Sequence, residues 1–357
     1  MKSRWNLVLF SIFLVLVGIL IEVPKSACDA WHVRATPAVS QEVQFSNGDA
    51  HLVGTLYLPI KGDHLPAVVA LHSASAATRD AALYRHLTEA LPAMGIAVLI
   101  YDRRGAGKSS GTLENIDFGT LADDAIAGQR ALAKTSSRID PKKIGFWGLS
   151  QGGWLAVLAA VRSQSGAFAI SVSAPLVTPE EQMQFAMTNL MTIRGYSAGD
   201  IQAMLDTRKA WTGYLRGNSS RAIAISALQK AESKPWFKEV YLPESSELTS
   251  DPEHNSYRKE MDDDPVATVL QAHVPVLFLY GDSDPWVPVA KSVVRLQSLA
   301  NRLHNLDYAI VSNADHEMMF PVNETMGIDE NTIRNHAPQA PSYFTLLGSW
   351  LSLQGLK

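Results

Sequence analysis

Between Lys143 and Trp154 an apolar run stops at Gly148-Leu149-Ser150-Gln151-Gly152 and a helical pattern takes over. Ile144, Phe146 and Trp147 read as a short buried strand, and Trp154, Leu155, Val157 and Leu158 as the apolar side of a helix, so Ser150 falls in the turn that joins them. A G-x-S-x-G turn of this kind holds its serine in a strained backbone conformation. It needs glycine on either side because a Cβ there would strike the neighbouring strand or helix. Gly148 and Gly152 fill those places, and Gly153 adds room. The same turn puts the N–H of Gln151 at a helix N-terminus, where partial positive charge can meet an oxyanion.

The chain on either side supplies the frame for such a turn. Gln41 to Leu58 alternates as a hairpin about Ser46-Asn47-Gly48-Asp49. Ala67–Leu71 and Ala97–Tyr101 are continuous apolar runs, the mark of strands buried on both faces of a mostly parallel sheet. Helical patterns cover Thr78 to Met94, closed by Gly95, and Leu121 to Ala133, and Phe168 to Val172 is a further strand. From Pro179 the pattern changes to helices with many polar residues, at 179–192, 198–215 and 220–233, followed by a polar stretch from Pro243 to Asp264. Strands resume at Val274–Tyr280 and Tyr308–Val311, flanked by helices near 289–303 and 342–353. The alternation predicts an α/β fold: a mostly parallel central sheet, helices on both faces, and an inserted helical cap. The expected division is a core first part at 41–177, the cap at 178–267 and a core second part at 268–357.

A serine hydroxyl is a poor nucleophile unless a base takes its proton and a third group holds that base in the right tautomer. Both should sit on loops at the carboxyl ends of later strands, beside the turn that carries Ser150. Two loops qualify: Gly281-Asp282-Ser283-Asp284-Pro285-Trp286-Val287-Pro288 and Asn313-Ala314-Asp315-His316-Glu317. His316 is the expected base among 10 histidines. His32 precedes the folded body, His51 lies in the hairpin, His86 reads as part of a surface helix, His254 is in a polar loop, His273 and His304 flank elements, and His336 comes late in a loop. Asp284 is favoured over Asp282 as the acid because it lies further into its loop; Asp282 would shape the turn, and Asp315 and Glu317 read as solvent-facing. The second oxyanion donor is expected from a backbone N–H of Ser73 or Ala74, after the strand that ends at Leu71, with His72 a structural residue beneath. Asp102 to Gly107 reads as a loop tied down by local hydrogen bonds.

Composition narrows the partners. Lys+Arg 31 against Asp+Glu 35, a net charge of −4, offers no basic field for nucleic acid, and there are no repeats or low-complexity tracts. With 46% hydrophobic residues over 357, the chain can bury a large core. Lys2 and Arg4, the apolar stretch 7–21 and the small residues of Ser26-Ala27-Cys28-Asp29-Ala30 read as a signal peptide within residues 1–30, so export to the periplasm or outside the cell is expected. The alternative is an uncleaved membrane anchor at 7–23, the one route to a membrane. Cys28, the single cysteine, lies in this segment, so the body carries no disulfide; Lys25 argues against a lipid-modified Cys28. The sequons at Asn218 and Asn323 carry no weight.

The segments VGTLYLP (53–59), AVVALHS (67–73), YDRRGAGKSSG (101–111), IDPKKIGFWGLSQGG (139–153) and LYGDSDPWVP (279–288), with His316 after the final strand, resemble the α/β-hydrolase superfamily. More narrowly they are similar to bacterial esterases and serine aminopeptidase or prolyl-oligopeptidase-like hydrolases. The resemblance implies an α/β-hydrolase fold and a serine hydrolase with Ser150, Asp284 and His316 as triad, and Gln151 with Ser73 or Ala74 as oxyanion donors. One departure is that relatives usually show His-Gly where this chain has His72-Ser73. The expected substrate is a small ester, cleaved through an acyl-enzyme without metal or cofactor. A short peptide or amide cleaved by the same residues is the alternative, and a non-catalytic binding protein of the same fold the third reading. Met187, Met191, Trp211, Tyr214, Trp236, Phe237 and Tyr241 are expected to divide between a cap core and the wall of an acyl pocket.

Overall fold

The computed structural model describes residues 38–114, 116–320 and 339–356. The segment 1–30 with Cys28, His32, the sequon at Asn323 and His336 lie outside those residues. The apolar runs become the strands of one eight-stranded sheet in the order β1-β2-β4-β3-β5-β6-β7-β8. They are β1 (Val39–Asn47), β2 (Ala50–Leu58), β3 (Leu65–Leu71), β4 (Ala97–Tyr101), β5 (Ile139–Leu149), β6 (Ala169–Val172), β7 (Val276–Gly281) and β8 (Leu306–Val311). β1 pairs antiparallel with β2 and β2 with β4, while the pairs from β4 through to β8 are parallel.

β3, β4 and β7 are apolar at every position because both faces are covered. Val69, Leu71, Leu99 and Phe146 point into a core that includes Leu121, Ala125, Leu155 and Leu296. Those residues lie on α2 (Phe118–Thr135), α3 (Gln151–Arg162) and α9 (Val289–Ala300). Val68, Ala70, Val98, Ile100 and Trp147 face the opposite core with Leu87, Leu91, Tyr343 and Leu347, from α1 (Arg85–Ala93) and α10 (Pro341–Leu353). The two-residue period of a strand sends alternate side chains to opposite faces, so neither face can be polar.

Two local expectations need correction. The helix expected from Thr78 starts later, as a 3-10 turn at Ala82–Tyr84 followed by α1. Its backbone groups are taken elsewhere: Arg79 N–H donates to Asp102 Oδ1 at 2.9 Å, and the Ala77 carbonyl accepts from Arg103 N–H at 2.8 Å. His86, read as a surface residue, is buried, with its ring edge-on to Trp147 and Tyr343. The C-terminal helix α10 covers the face that the helical wheel of α1 alone leaves open.

Between β6 and β7 run α4 (Pro179–Ile193), α5 (Ala198–Leu215), α6 (Arg221–Glu232), and the short α7 (Ser256–Glu260) and α8 (Pro265–Val269). Thr178, Ser197 and Ser220 cap the first three by accepting N–H bonds from Glu181, Asp200 and Ile223. Met187, Met191, Tyr214, Trp236 and Phe237 form the shared apolar cluster of these helices. Among them lies a buried ion pair: Glu180 of α4 accepts from Arg208 Nε and Nη2 and from Tyr257 Oη, while Tyr257 stacks on Trp211 with ring centroids 5.2 Å apart.

Candidate active site

Ser150 stands between the end of β5 and the start of α3 with φ 57° and ψ −121°, a backbone conformation that costs a non-glycine residue energy. The turn exists because its flanks are glycine. A Cβ built on Gly148 would lie 1.9 Å from the Gly152 carbonyl oxygen, and one on Gly152 would lie 2.4 Å from the Leu71 oxygen and 2.7 Å from the His72 oxygen. Gly152 therefore lets α3 start against the end of β3. Ser150 N–H is held by the Val172 carbonyl at 2.8 Å, which leaves the side chain on the cavity side.

The loops after β7 and β8 meet beside it. His316 Nδ1 lies 2.8 Å from Asp284 Oδ2, and the Asp284 side chain is wholly buried. Asp284 Oδ1 accepts N–H bonds from Trp286 at 2.8 Å and Val287 at 3.1 Å. One carboxyl oxygen is thus tied to its own loop and the other to the histidine. Burial alone would lower the pKa of His316, but the Asp284 carboxylate, by charge and hydrogen bond, and then Glu317 and Asp315, raise it above the ordinary histidine value. Asp282 is exposed and accepts from the Ser283 hydroxyl within its turn.

Asp315 is not solvent-facing. It is 2% exposed, and its Oδ1 accepts the N–H of Glu317 and of Met319, both at 2.9 Å, which curls the loop that presents His316. Burial pushes its pKa up to about 6 against the pull of those two N–H groups. An isolated Asp before a histidine reads as exposed in sequence; only the fold closes this loop over it.

On the opposite wall stands the loop after β3. The Ser73 N–H donates to Tyr84 Oη at 3.0 Å, and that hydroxyl donates on to the Ala76 carbonyl at 2.8 Å. Of the two expected donors, Ser73 thus has its N–H engaged, while Ala74 lines the cavity beside Ser150 and Gln151. His72 packs edge-on against Tyr84 and Tyr101, a structural residue as expected. Asp102 accepts N–H bonds from Arg79 and Lys108, so the 102–107 loop is tied as its composition implies.

These groups surround a cavity of about 520 Å³, whose wall includes Ser150, His316, Ala74, Gln151 and, from the β6–β7 segment, Met183, Trp211, Tyr241 and Tyr257. Of the large side chains named from sequence, Trp211 and Tyr241 reach the cavity, while Met187, Met191, Tyr214, Trp236 and Phe237 go to the segment's own core. Glu260 also lines the cavity; burial first, then Asp263 and Asp117, raise its pKa to about 8. No spacing in the sequence singles out Glu260, since it enters the site from a short helix far along the chain from Ser150.

Comparison with known proteins agrees with this architecture. The chain matches the family described as serine aminopeptidase, S33, over residues 66–323. An esterase of Pyrococcus furiosus superposes with a TM-score of 0.57 at 16% identity, covering 88% of this chain and 91% of that one. The α/β hydrolase GrgF from a Penicillium species gives 0.52 at 18% identity, over 89% and 98%. An acylaminoacyl peptidase of Pyrococcus horikoshii gives 0.54 at 14% identity, over 89% of this chain and 42% of that one. At these identities the likeness is one of fold. A polyketide transferase of Penicillium crustosum is 31% identical over 112 residues, so the matched stretch spans 36% of that protein's length and 31% of this chain. With the family match running from β3 past His316 over a sheet and elbow of this form, the chain belongs to the serine aminopeptidase family of α/β hydrolases and is a serine hydrolase.

Proposed function

We propose that the protein cleaves a carboxylic ester through an acyl-enzyme formed on Ser150, with His316 as general base and Asp284 as the group that holds it. The observation that carries this reading is the 2.8 Å bond that His316 Nδ1 makes to Asp284 Oδ2, with His316 on the wall of the cavity into which the strained Ser150 turn opens. His316 takes the Ser150 proton as the oxygen attacks the carbonyl carbon, and the imidazolium then protonates the leaving alcohol. Asp284 bonds the Nδ1 side and so leaves Nε2 as the acceptor. The N–H groups of Gln151 and Ala74 receive the oxyanion. Water then repeats the sequence and frees the acid. Trp154, Met183, Trp211, Tyr241 and Trp286 on the cavity wall favour an apolar acyl group over a charged one. Covalent labelling by a fluorophosphonate, lost in Ser150→Ala, tests the mechanism. A p-nitrophenyl ester series tests the pocket, and a preference for acetyl over every longer chain would count against it.

A second reading, a peptidase or amidase with the same triad, is favoured by Glu260, a carboxyl group on the cavity wall available to a substrate amine. Aminoacyl p-nitroanilides assayed beside the esters separate the two. Export remains our reading of residues 1–30, supported by Lys2, Arg4 and the apolar stretch after them; N-terminal sequencing of the mature protein from culture tests it.

A further inference from the structure

Arg103 is a buried cation that the proposed chemistry leaves unused. It is 6% exposed, and its Nη2 donates to the His72 carbonyl at 3.0 Å and the Ser73 carbonyl at 2.8 Å. Its neighbour Arg104 is paired bidentately with Asp124, but Arg103 forms no ion pair among the described residues. Burial lowers its pKa from the ordinary value, and Glu260 and Asp124 act on it through space rather than by contact. A guanidinium held in the interior without a carboxylate is costly, so the carbonyls it binds are the place to look for its use.

Those carbonyls belong to two consecutive peptide units, none of them cis. In a trans unit the C=O and the N–H point in opposite directions. The first unit joins the His72 carbonyl to the Ser73 N–H; Arg103 holds one end and Tyr84 Oη the other, so it cannot rotate. The second joins the Ser73 carbonyl to the Ala74 N–H. With its oxygen drawn onto Arg103 at 2.8 Å, its N–H is turned the other way, and Ala74 borders the cavity that holds Ser150 and Gln151. A cation on the carbonyl also polarises the unit and makes its N–H a stronger donor. The backbone of Arg103 itself is fixed by its N–H on the Ala77 carbonyl at 2.8 Å, so this loop is braced at both ends from one residue.

We propose that Arg103 is a positioning residue of the oxyanion hole: by gripping the Ser73 carbonyl from behind, it aims and polarises the Ala74 N–H toward the oxyanion. This rests on the acyl-enzyme reading with Ser150, and the experiment keeps the two apart. Fluorophosphonate titration counts reactive Ser150 in wild type, Arg103→Met and Arg103→Lys. If wild type fails to label, the acyl-enzyme reading falls, whatever the variants do. If it labels, kcat per titrated site in Arg103→Met should drop roughly 10- to 100-fold at nearly constant KM, somewhat less than the loss of an oxyanion donor outright. Affinity for a trifluoromethyl ketone, which forms the oxyanion, should weaken by a similar factor, while that for the matching alcohol stays. Arg103→Lys, which keeps the charge and can bond one carbonyl, should recover most of the loss. Unchanged kcat per site in Arg103→Met, or a loss shared equally by ketone and alcohol, overturns the proposal. If Arg103→Met yields no titratable protein, the neutral Arg103→Gln takes its place: a selective ketone defect supports the proposal, and unchanged ketone affinity, or ketone and alcohol weakened alike, refutes it.

Discussion

Asp284 divides its carboxylate between two tasks: Oδ2 lies 2.8 Å from His316 Nδ1, while Oδ1 accepts the N–H groups of Trp286 and Val287. The acid is therefore aimed by its own loop before it meets the histidine. Asp284→Asn keeps the shape but can present an N–H to Nδ1 and favour the wrong tautomer, so kcat should fall about 10³- to 10⁴-fold with the fold intact. Steady-state kinetics with a p-nitrophenyl ester, beside circular dichroism, checks this; a loss under tenfold would remove Asp284 from the triad.

The pH dependence follows from the same pair. Burial lowers the pKa of His316, but the charge and hydrogen bond of Asp284 more than offset it, so the net direction is up. A general base must be neutral to work, and a raised pKa moves the acid limb of kcat/KM to higher pH than an ordinary histidine gives. In Asp284→Asn the residual activity should show that limb displaced toward lower pH. A limb that stays put would mean that another group sets it.

Ser150 occupies a conformation that glycine adopts at little cost and alanine does not. Ser150→Gly and Ser150→Ala are both expected to be inactive, but the glycine variant should be the more stable by about 1 kcal/mol, the relief of backbone strain less the entropy glycine adds to the unfolded chain. Urea denaturation of the two variants reads the difference. Equal stabilities would show that the turn is not strained.

Two buried histidines should make the protein sensitive to mild acid. Burial, with Arg103 nearby, lowers the pKa of His72 to about 3, and burial against a bond to the Leu83 carbonyl lowers that of His86 to about 4, from 6.5 in the unfolded chain. Below pH 6.5 the unfolded state takes up protons that the fold refuses, so stability is full above that value. It is lost as pH falls toward 4, and for His72 toward 3, each tenfold difference in proton affinity between the two states being worth about 1.4 kcal/mol. Asp315, with its pKa raised to about 6, works in the opposite sense, because its burial penalty lifts as it protonates. The informative quantity is therefore the difference between wild type and His86→Leu: melting temperature should fall more steeply from pH 6.5 to pH 4 in the wild type. Parallel curves would refute the assignment.

The pair Arg208–Glu180, both side chains almost fully buried, stiffens the cavity wall made by Trp211 and Tyr257. Arg208→Met strands a buried carboxylate and should cost about 3–5 kcal/mol, whereas removing both charges in Arg208→Met with Glu180→Gln should restore much of it. Additive losses in denaturant titration would show that the pair is not coupled.

What could be read from the residues in order was whatever depends on neighbours in the chain. The continuous apolar runs marked β3, β4 and β7 because a strand covered on both faces has no polar position to spare. Gly148 marked the turn at Ser150 because the clash it avoids, with the Gly152 carbonyl, is within a few residues, whereas the room Gly152 makes is for Leu71 and His72 at the end of β3. The loops holding Asp284 and His316 were legible as strand-end loops in the expected order. Packing between distant segments decided the rest. His86 became a core residue when α10 covered it, and the loop of Asp315 packs onto Gly281 at the end of β7, where a Cβ would lie 2.3 Å from the Asp315 carbonyl oxygen. Glu260 came to the cavity on a short helix, and Arg103 acquired the two carbonyls of a neighbouring strand's loop. Burial, and with it the charge state of a histidine or the use of an arginine, is set by what arrives from elsewhere, and local sequence carries no record of that arrival.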